Sequence, residues 1–325
     1  MMRNGLLYLF LLSLAVGSVL IAISSGSLNI GLAQAWLAIQ GEGDALHQQV
    51  IQQLRLPRAL AAFAVGGLLT LAGALMQVLL RNPLADPYVL GISGGAAVAA
   101  LLAMLAGLSG VLLQGSAFIG AMLATILVFG LAHGKGQWTT SRLLLTGVVL
   151  AAGWGAMISF LLAIAPTTQL PGMLFWLMGD LSPNNNPTWA LGLLLLGILF
   201  ALPMGRSLNI LSRGELQAQS LGVEQAKLRY GIYLLASLYT ATAVTLAGSI
   251  GFVGLVVPHL TRLLLGSDNR RLLPAAALLG GSLLVLADTL ARTIIAPQQL
   301  PVGVLTALIG VPLFLILLQR NRGHD

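Results

Sequence analysis

Apolar residues in this chain do not alternate, and they do not recur on one helical face. They run in blocks of about twenty, separated by short polar turns. Blocks of that length predict helices that cross a membrane. Reading between breakers gives ten of them, at 5–24, 58–80, 88–108, 110–132, 143–165, 189–204, 230–248, 252–265, 272–296 and 302–318; the sixth and eighth are short. The first block follows Arg3 and could be read as a signal peptide. It is long enough to span, and the chain after it is also membrane-embedded, so it is taken as the first helix. The predicted fold is all-α and polytopic, with residues 1–325 in one transmembrane domain.

Charge orients the blocks. An even number of spans places both termini on one side, and cations favour the cytoplasmic side of a bilayer. Thirteen of the sixteen Lys and Arg residues then fall inside: Arg3, Arg81, Lys135, Arg142, Arg206, Arg213, Lys227, Arg229, Arg262, Arg270, Arg271, Arg320 and Arg322. The outer loops, near 25–57, 166–188 and 296–301, hold Glu42, Asp44 and Asp180 and almost no cations. The exceptions are three arginines, Arg55, Arg58 and Arg292, and an arginine on that side needs a separate reason.

The composition excludes several classes of function. The chain is 57% hydrophobic and 8% charged, against about 25% charged in soluble domains. Its mean hydropathy is +0.93. Such a chain cannot cover itself with polar surface, so its solvent is lipid. The net charge of +7 lies in turns rather than on one face, which excludes nucleic acid as a partner. Cysteine is absent, so disulfides and thiolate metal sites are excluded. His47, His133, His259 and His324 are scattered without paired carboxylates, so neither a catalytic residue nor a metal site is predicted. The nearest approach to a nucleotide-binding loop, Gly130, Gly134 and Lys135, is one residue short and continues with Gly136. Any ATP must be bound by another chain.

Glycines inside the spans, among them Gly66, Gly67, Gly73, Gly91, Gly95, Gly147 and Gly153, predict close helix packing. Asp288 and Arg292, one turn apart on the ninth span, form either a structural ion pair or a transport site. No acid falls at mid-span elsewhere, which argues against a carrier coupled to protons or sodium.

Three blocks carry the most specific signal. The first is Arg55-Leu56-Pro57-Arg58, then Gly66, Gly73 and Gln77, then Arg81 through Pro87 and Leu90-Gly91. The second runs from Gly248 through Leu255 to Pro258-His259 and Arg262. The third joins Asp288 and Arg292 to Leu300-Pro301-Val302-Gly303, Thr306-Ala307, Gly310 and Pro312. With Thr140 through Leu145 and Arg213 through Gly222, they resemble the FecCD-type permease subunits of ATP-binding-cassette (ABC) importers for iron–siderophore complexes, haem and cobalamin. The resemblance runs almost end to end.

That resemblance implies a ten-helix permease of the bacterial inner membrane. A second copy or a paired homologous subunit completes it, and the translocation path lies at the dimer interface. Two cytoplasmic ATPase subunits use ATP and Mg, and a periplasmic binding protein delivers the cargo. It implies that Arg55, Arg58 and Arg292 receive glutamates of the binding protein, a role suited to the planar guanidinium. Otherwise Arg55 and Arg58 are interfacial anchors and Arg292 neutralises Asp288. The loop near 205–229, with Arg213, Gly214, Glu215, Ala218, Leu221 and Gly222, is implied to couple to the ATPase. Asn82, Leu84, Thr140 and Ser141 are implied to form a cytoplasmic gate. Thr168, Phe175 and Trp176 line the path or its outer mouth. One residue departs from the pattern: Gln299 stands where the family usually has Glu, which removes an acid that could pair with Arg292 or with the partner.

Ferric siderophore is the first expected cargo, then cobalamin, then haem. The chief rival is a secondary transporter with its own substrate site, which predicts charged residues at mid-span. A membrane-embedded enzyme or scaffold lacks any convergent set of reactive residues.

Overall fold

The computed structural model describes residues 2–28, 30–133, 139–181, 186–222 and 224–321. Gly134, Lys135, Gly136, Arg322 and His324, all weighed above, lie outside the described residues, as do the side chains of Arg3, Glu215 and Arg320. No strand occurs among the described residues. The helices are α1 (Met2–Ser24), α2 (Leu32–Gln40), α3 (Ala45–Gln49), α4 (Leu56–Leu79), α5 (Ile92–Leu105), α6 (Gly110–Ala132), α7 (Thr140–Ile164), α8 (Leu170–Leu177), α9 (Thr188–Ser212), α10 (Glu215–Ser220), α11 (Gln225–Ala247), α12 (Val253–Leu265), α13 (Asn269–Thr293) and α14 (Val302–Asn321).

Each predicted apolar block coincides with a helix, but the count of crossings is not simply ten. Seven stretches are long and apolar enough to cross a membrane, and three apolar helices, over Ile92–Leu105, Val253–Leu265 and Val302–Leu317, are shorter. At 1.5 Å per residue the thirteen residues of α12 reach only about 20 Å, short of a 30 Å hydrocarbon layer. The remaining depth is taken by the non-helical linker 248–252. Backbone of that kind is tolerated in a membrane only where protein covers it. Phe252 holds a left-handed φ of 70° there, and its Cβ lies where a side chain on Gly310 would have to stand, 2.6 Å away.

Two boundaries depart from the sequence reading for a common reason. The sixth block, predicted to stop at 204, continues as helix to Ser212 with Pro203 inside it. Proline is tolerated where neighbouring helices re-satisfy the freed carbonyl. The outer loop 25–57 is largely helical, with α2, α3 and a π turn over Val50–Arg55 running directly into α4. Pro57 has no N–H and its ring crowds the preceding turn, and the wider π turn accommodates it.

The core is organised around α4, which packs on α9, α11, α12 and α13. Bare glycines make this approach possible. A methyl group on Gly66 would enter the carbonyl of Gly280 on α13, and one on Gly73 would enter that of Gly254 on α12. Gly95 and Gly120 do the same between α5 and α6, at 2.7 Å from Cβ to the Gly120 oxygen. In lipid, where no hydrophobic force drives helices together, such backbone contact provides the dispersion that does. Gly153 does not share this role, since nothing in the chain lies within 4 Å of its missing Cβ. It sits on α7, the helix least covered by its own chain: 11% of its apolar window is buried, against 89% for Ala45–Leu79.

A second seam is made mostly of main chain. The segment after α8 lies across the linker 248–252 and the start of α14. The Trp176 carbonyl faces Gly248, the Met178 carbonyl faces Gly303, and a Cβ on Gly179 would stand 2.8 Å from the Ser249 carbonyl and 2.9 Å from the Ile250 side chain. Gly179 has φ 82°, which a side chain would strain.

Candidate functional site: an arginine pocket at one end and a coupling helix at the other

The three arginines that break the charge pattern are brought together. All of them, with Gln299, line one cavity of about 350 Å³ between the α1–α2 turn, the π turn and the end of α13. They are not surface side chains, and each has partners within the chain.

Arg55 closes the end of α1. Its Nη1 donates to the carbonyls of Ile23 at 2.8 Å and Ser24 at 3.1 Å, and its Nη2 donates to Leu28 at 2.6 Å. Terminal carbonyls of a helix have no partner within it, and a cation also complements the helix dipole there. Gly26 is required for this cap, because any Cβ at that position would stand 2.6 Å from Nη2.

Arg58 and Arg292 share Asp288. Arg58 Nε and Nη2 grip its carboxylate at 2.9–3.2 Å, and Arg292 Nε donates to the same group at 3.0 Å. The Asp288 side chain is 1% exposed and the two guanidinium side chains 8% and 9%. Arg58 also reaches Gln299 Oε1 through Nη1 at 3.3 Å and Asp180 Oδ1 through Nη2 at 3.5 Å. The residue at 299 therefore faces Arg58, not Arg292 as the sequence suggested. Arg292 Nη2 is buried and has no hydrogen-bond partner among the described residues. Burial pushes the Asp180 carboxyl above its ordinary pKa; Arg58 pulls it back and Asp288 adds to the rise.

At the opposite end, Asn209 locks α9 to α13. Its Nδ2 donates to Asp268 Oδ1 at 2.6 Å, and its Oδ1 accepts from the Asn269 backbone and side-chain N–H groups at 2.8 Å each. The Asn209 bond is the main cause holding the Asp268 carboxyl below its usual range. From this lock α9 runs to Arg213 and into α10. Gly214 at φ 128° and Gly222 at φ 73° bracket that short helix. Ala218 is buried beneath it, Arg213 is exposed, and Leu221 stands 65% exposed at its end.

The four gate residues lie on neighbouring elements. Asn82 and Leu84 are exposed in the turn after α4, where Asn82 Oδ1 accepts from the Leu84 N–H at 2.9 Å. Asp86 caps the 3₁₀ turn Pro87–Leu90, accepting from the Tyr88 N–H at 2.7 Å, and burial pushes its carboxyl up to about 6. Thr140 and Ser141 open α7, which packs on that 3₁₀ turn through Gly147. Thr168 and Phe175 are exposed, whereas Trp176 is partly buried against the core. Sequence reasoning missed Asp180. Its one available signal was an acid directly after a glycine in an outer loop.

The chain is thus a helical membrane bundle with backbone-level packing, an arginine pocket at one end and a short, partly exposed helix at the other. The chain belongs to the FecCD transport family, whose model matches residues 12–320, and it is an ABC importer permease of that type. It is 42% identical to the hemin transport system permease protein HmuU of Yersinia pestis, over 98% of this chain and 95% of the relative. Identity to the vitamin B12 import system permease protein BtuC of Vibrio cholerae is 41%, over 90% and 89%. Its fold matches an inward-facing structure described as a metal-chelate type ABC transporter, with TM-score 0.83 and 34% identity, covering 97% of this chain and 99% of that one.

Proposed function

We propose that this chain imports a metal chelate, driven by separate ATPase subunits that use ATP and Mg, through a path it shares with a second permease copy or a paired homologue. The observation that carries this reading is α7. A membrane helix that buries 11% of its apolar window in its own chain leaves a wall for a second chain to complete. Beyond Arg142 in its first turn, α7 carries no charged residue, which suits a bulky cargo that must be released rather than held. Relatives named for hemin and for vitamin B12 support the chelate class. Ferric siderophore ranks first, cobalamin second and haem third.

In this reading both termini are cytoplasmic. The α10 segment, with Arg213, Gly214, Glu215, Ala218, Leu221 and Gly222, seats against the ATPase and moves with it as a body. Asn82, Leu84, Thr140 and Ser141 close the cytoplasmic side; Thr168, Phe175 and Trp176 border the outer mouth. Arg55, Arg58 and Arg292 face the binding protein, and Arg292, with its unpartnered Nη2, is the best placed to take a carboxylate. Arg55, with Nη1 committed to the end of α1 and Nη2 to Leu28 in the turn after it, shapes the pocket instead.

The test is uptake into proteoliposomes holding the chain, its ATPase and its binding protein. Labelled ferric siderophores, cobalamin and haem are compared, each with an ATPase variant unable to hydrolyse ATP. One chelate should enter, and its entry should stop in the variant. Entry that persists would overturn the reading in favour of a secondary transporter.

A further inference from the structure

Asp180 stands where the arginine pocket meets the outer mouth. It follows Gly179, the residue that seats the α8 segment on the linker 248–252, and it reaches Arg58 at Nη2, the same nitrogen that donates to Asp288. The two acids on Arg58 are held very differently. Asp288 is 1% exposed and gripped at 2.9–3.2 Å by two Arg58 nitrogens, with Arg292 added at 3.0 Å. Asp180 is 39% exposed and makes one contact at 3.5 Å.

A carboxylate entering the pocket meets Arg58 and Arg292 in its lining, and on Arg58 it meets the guanidinium that Asp180 also contacts. Two carboxylates on one guanidinium edge repel. Asp288 cannot yield, because it would be left charged and buried. Asp180 can, since water already reaches it.

We propose that Asp180 is a positioning residue that competes with a docking partner's carboxylate for Arg58, so that docking unties the segment carrying Phe175 and Trp176. This rests on the docking reading above. The partner it fits is an extracytoplasmic protein presenting an acidic side chain to the pocket. Before docking, Asp180 holds the outer-mouth segment to the same cluster that anchors α4 to α13. After docking, the main-chain seam, the buried side chains of Met173 and Leu181 and the partly buried Trp176 still hold it, without the tie to the ion cluster.

The experiment uses the complete complex in nanodiscs, with the binding protein that copurifies with it as the probe. Dissociation constants are measured for the parent, Asp180→Asn, Asp180→Glu and Arg292→Gln. A spin label at Phe175→Cys, unique because the chain has no cysteine, reports the mobility of the segment. Asp180→Asn should dock about three- to fivefold more tightly, the scale of a half-exposed ion pair. Its label should be as mobile without the partner as the parent's is with it, and Asp180→Glu should restore both parent values. Unchanged or weaker docking of Asp180→Asn, with Arg292→Gln impaired, would refute the competition and leave the docking reading standing. Unimpaired docking of Arg292→Gln would refute the docking reading, and this proposal with it.

Discussion

The buried cluster of Arg58, Asp288 and Arg292 contains two cations and one acid, and that imbalance predicts which substitution harms the protein most. Removing one partner of a buried ion pair costs about 3–5 kcal/mol, because the other charge is left uncompensated. Arg58→Met leaves Asp288 still paired with Arg292 at 3.0 Å, a one-to-one pair, so the loss falls below that range, at about 2 kcal/mol. Asp288→Asn leaves two guanidiniums, with side chains 8% and 9% exposed, facing each other without their shared anion. Its loss lies at the top of the range, about 5 kcal/mol. The gap of about 3 kcal/mol is more than a hundredfold in the unfolding equilibrium. The double variant leaves one unpaired cation and falls between the two. Reversible unfolding in mixed micelles, followed by tryptophan fluorescence, measures all three. Equal losses for Arg58→Met and Asp288→Asn would refute the charge count, and the reverse order would show that packing by Arg58 outweighs it.

Three further outcomes are expected. Arg55→Met removes the donors from three carbonyls at the end of α1 and should lower stability by about 1.5–3 kcal/mol in the same unfolding assay, with Arg55→Lys recovering only part. Leu221→Asp should reduce copurification of the ATPase, and Gly222→Leu, strained at φ 73°, should leave ATP hydrolysis running while uptake falls; both are read in the reconstituted complex. Asp86, with its folded pKa raised from 3.8 to about 6, binds its proton more tightly when folded. Its contribution to stability is therefore present below about pH 4 and lost as pH rises to about 6, and Asp86→Asn should flatten that slope in unfolding midpoints taken from pH 4 to 7.

The helices were legible because hydrophobic runs report directly on lipid. What the runs could not report was backbone hydrogen bonding. The sixth block was read only to 204, yet α9 runs on to Ser212 with Pro203 inside it, because neighbouring helices can cover what proline exposes. The segment 32–55 read as loop because its residues are mixed, yet α2, α3 and the π turn form there over a small core of Ile23, Ile30 and Ile51. Arg55, Arg58 and Arg292 stood out by breaking a charge rule, which located the pocket. That rule is blind to pairing over more than 100 residues, so the Arg58–Asp288 grip and the Asp180 contact came only with the fold.

The seam of Trp176, Met178, Gly179, Gly248 and Gly303 sets which positions can vary. It is built from peptide groups, which every residue supplies, and from glycines, which nothing can replace without a clash. Phe175, 40% exposed, hangs beside that frame without belonging to it. The side chain at 175 can thus be exchanged without touching the frame, whereas a Cβ on Gly179, Gly248 or Gly303 would run into a carbonyl.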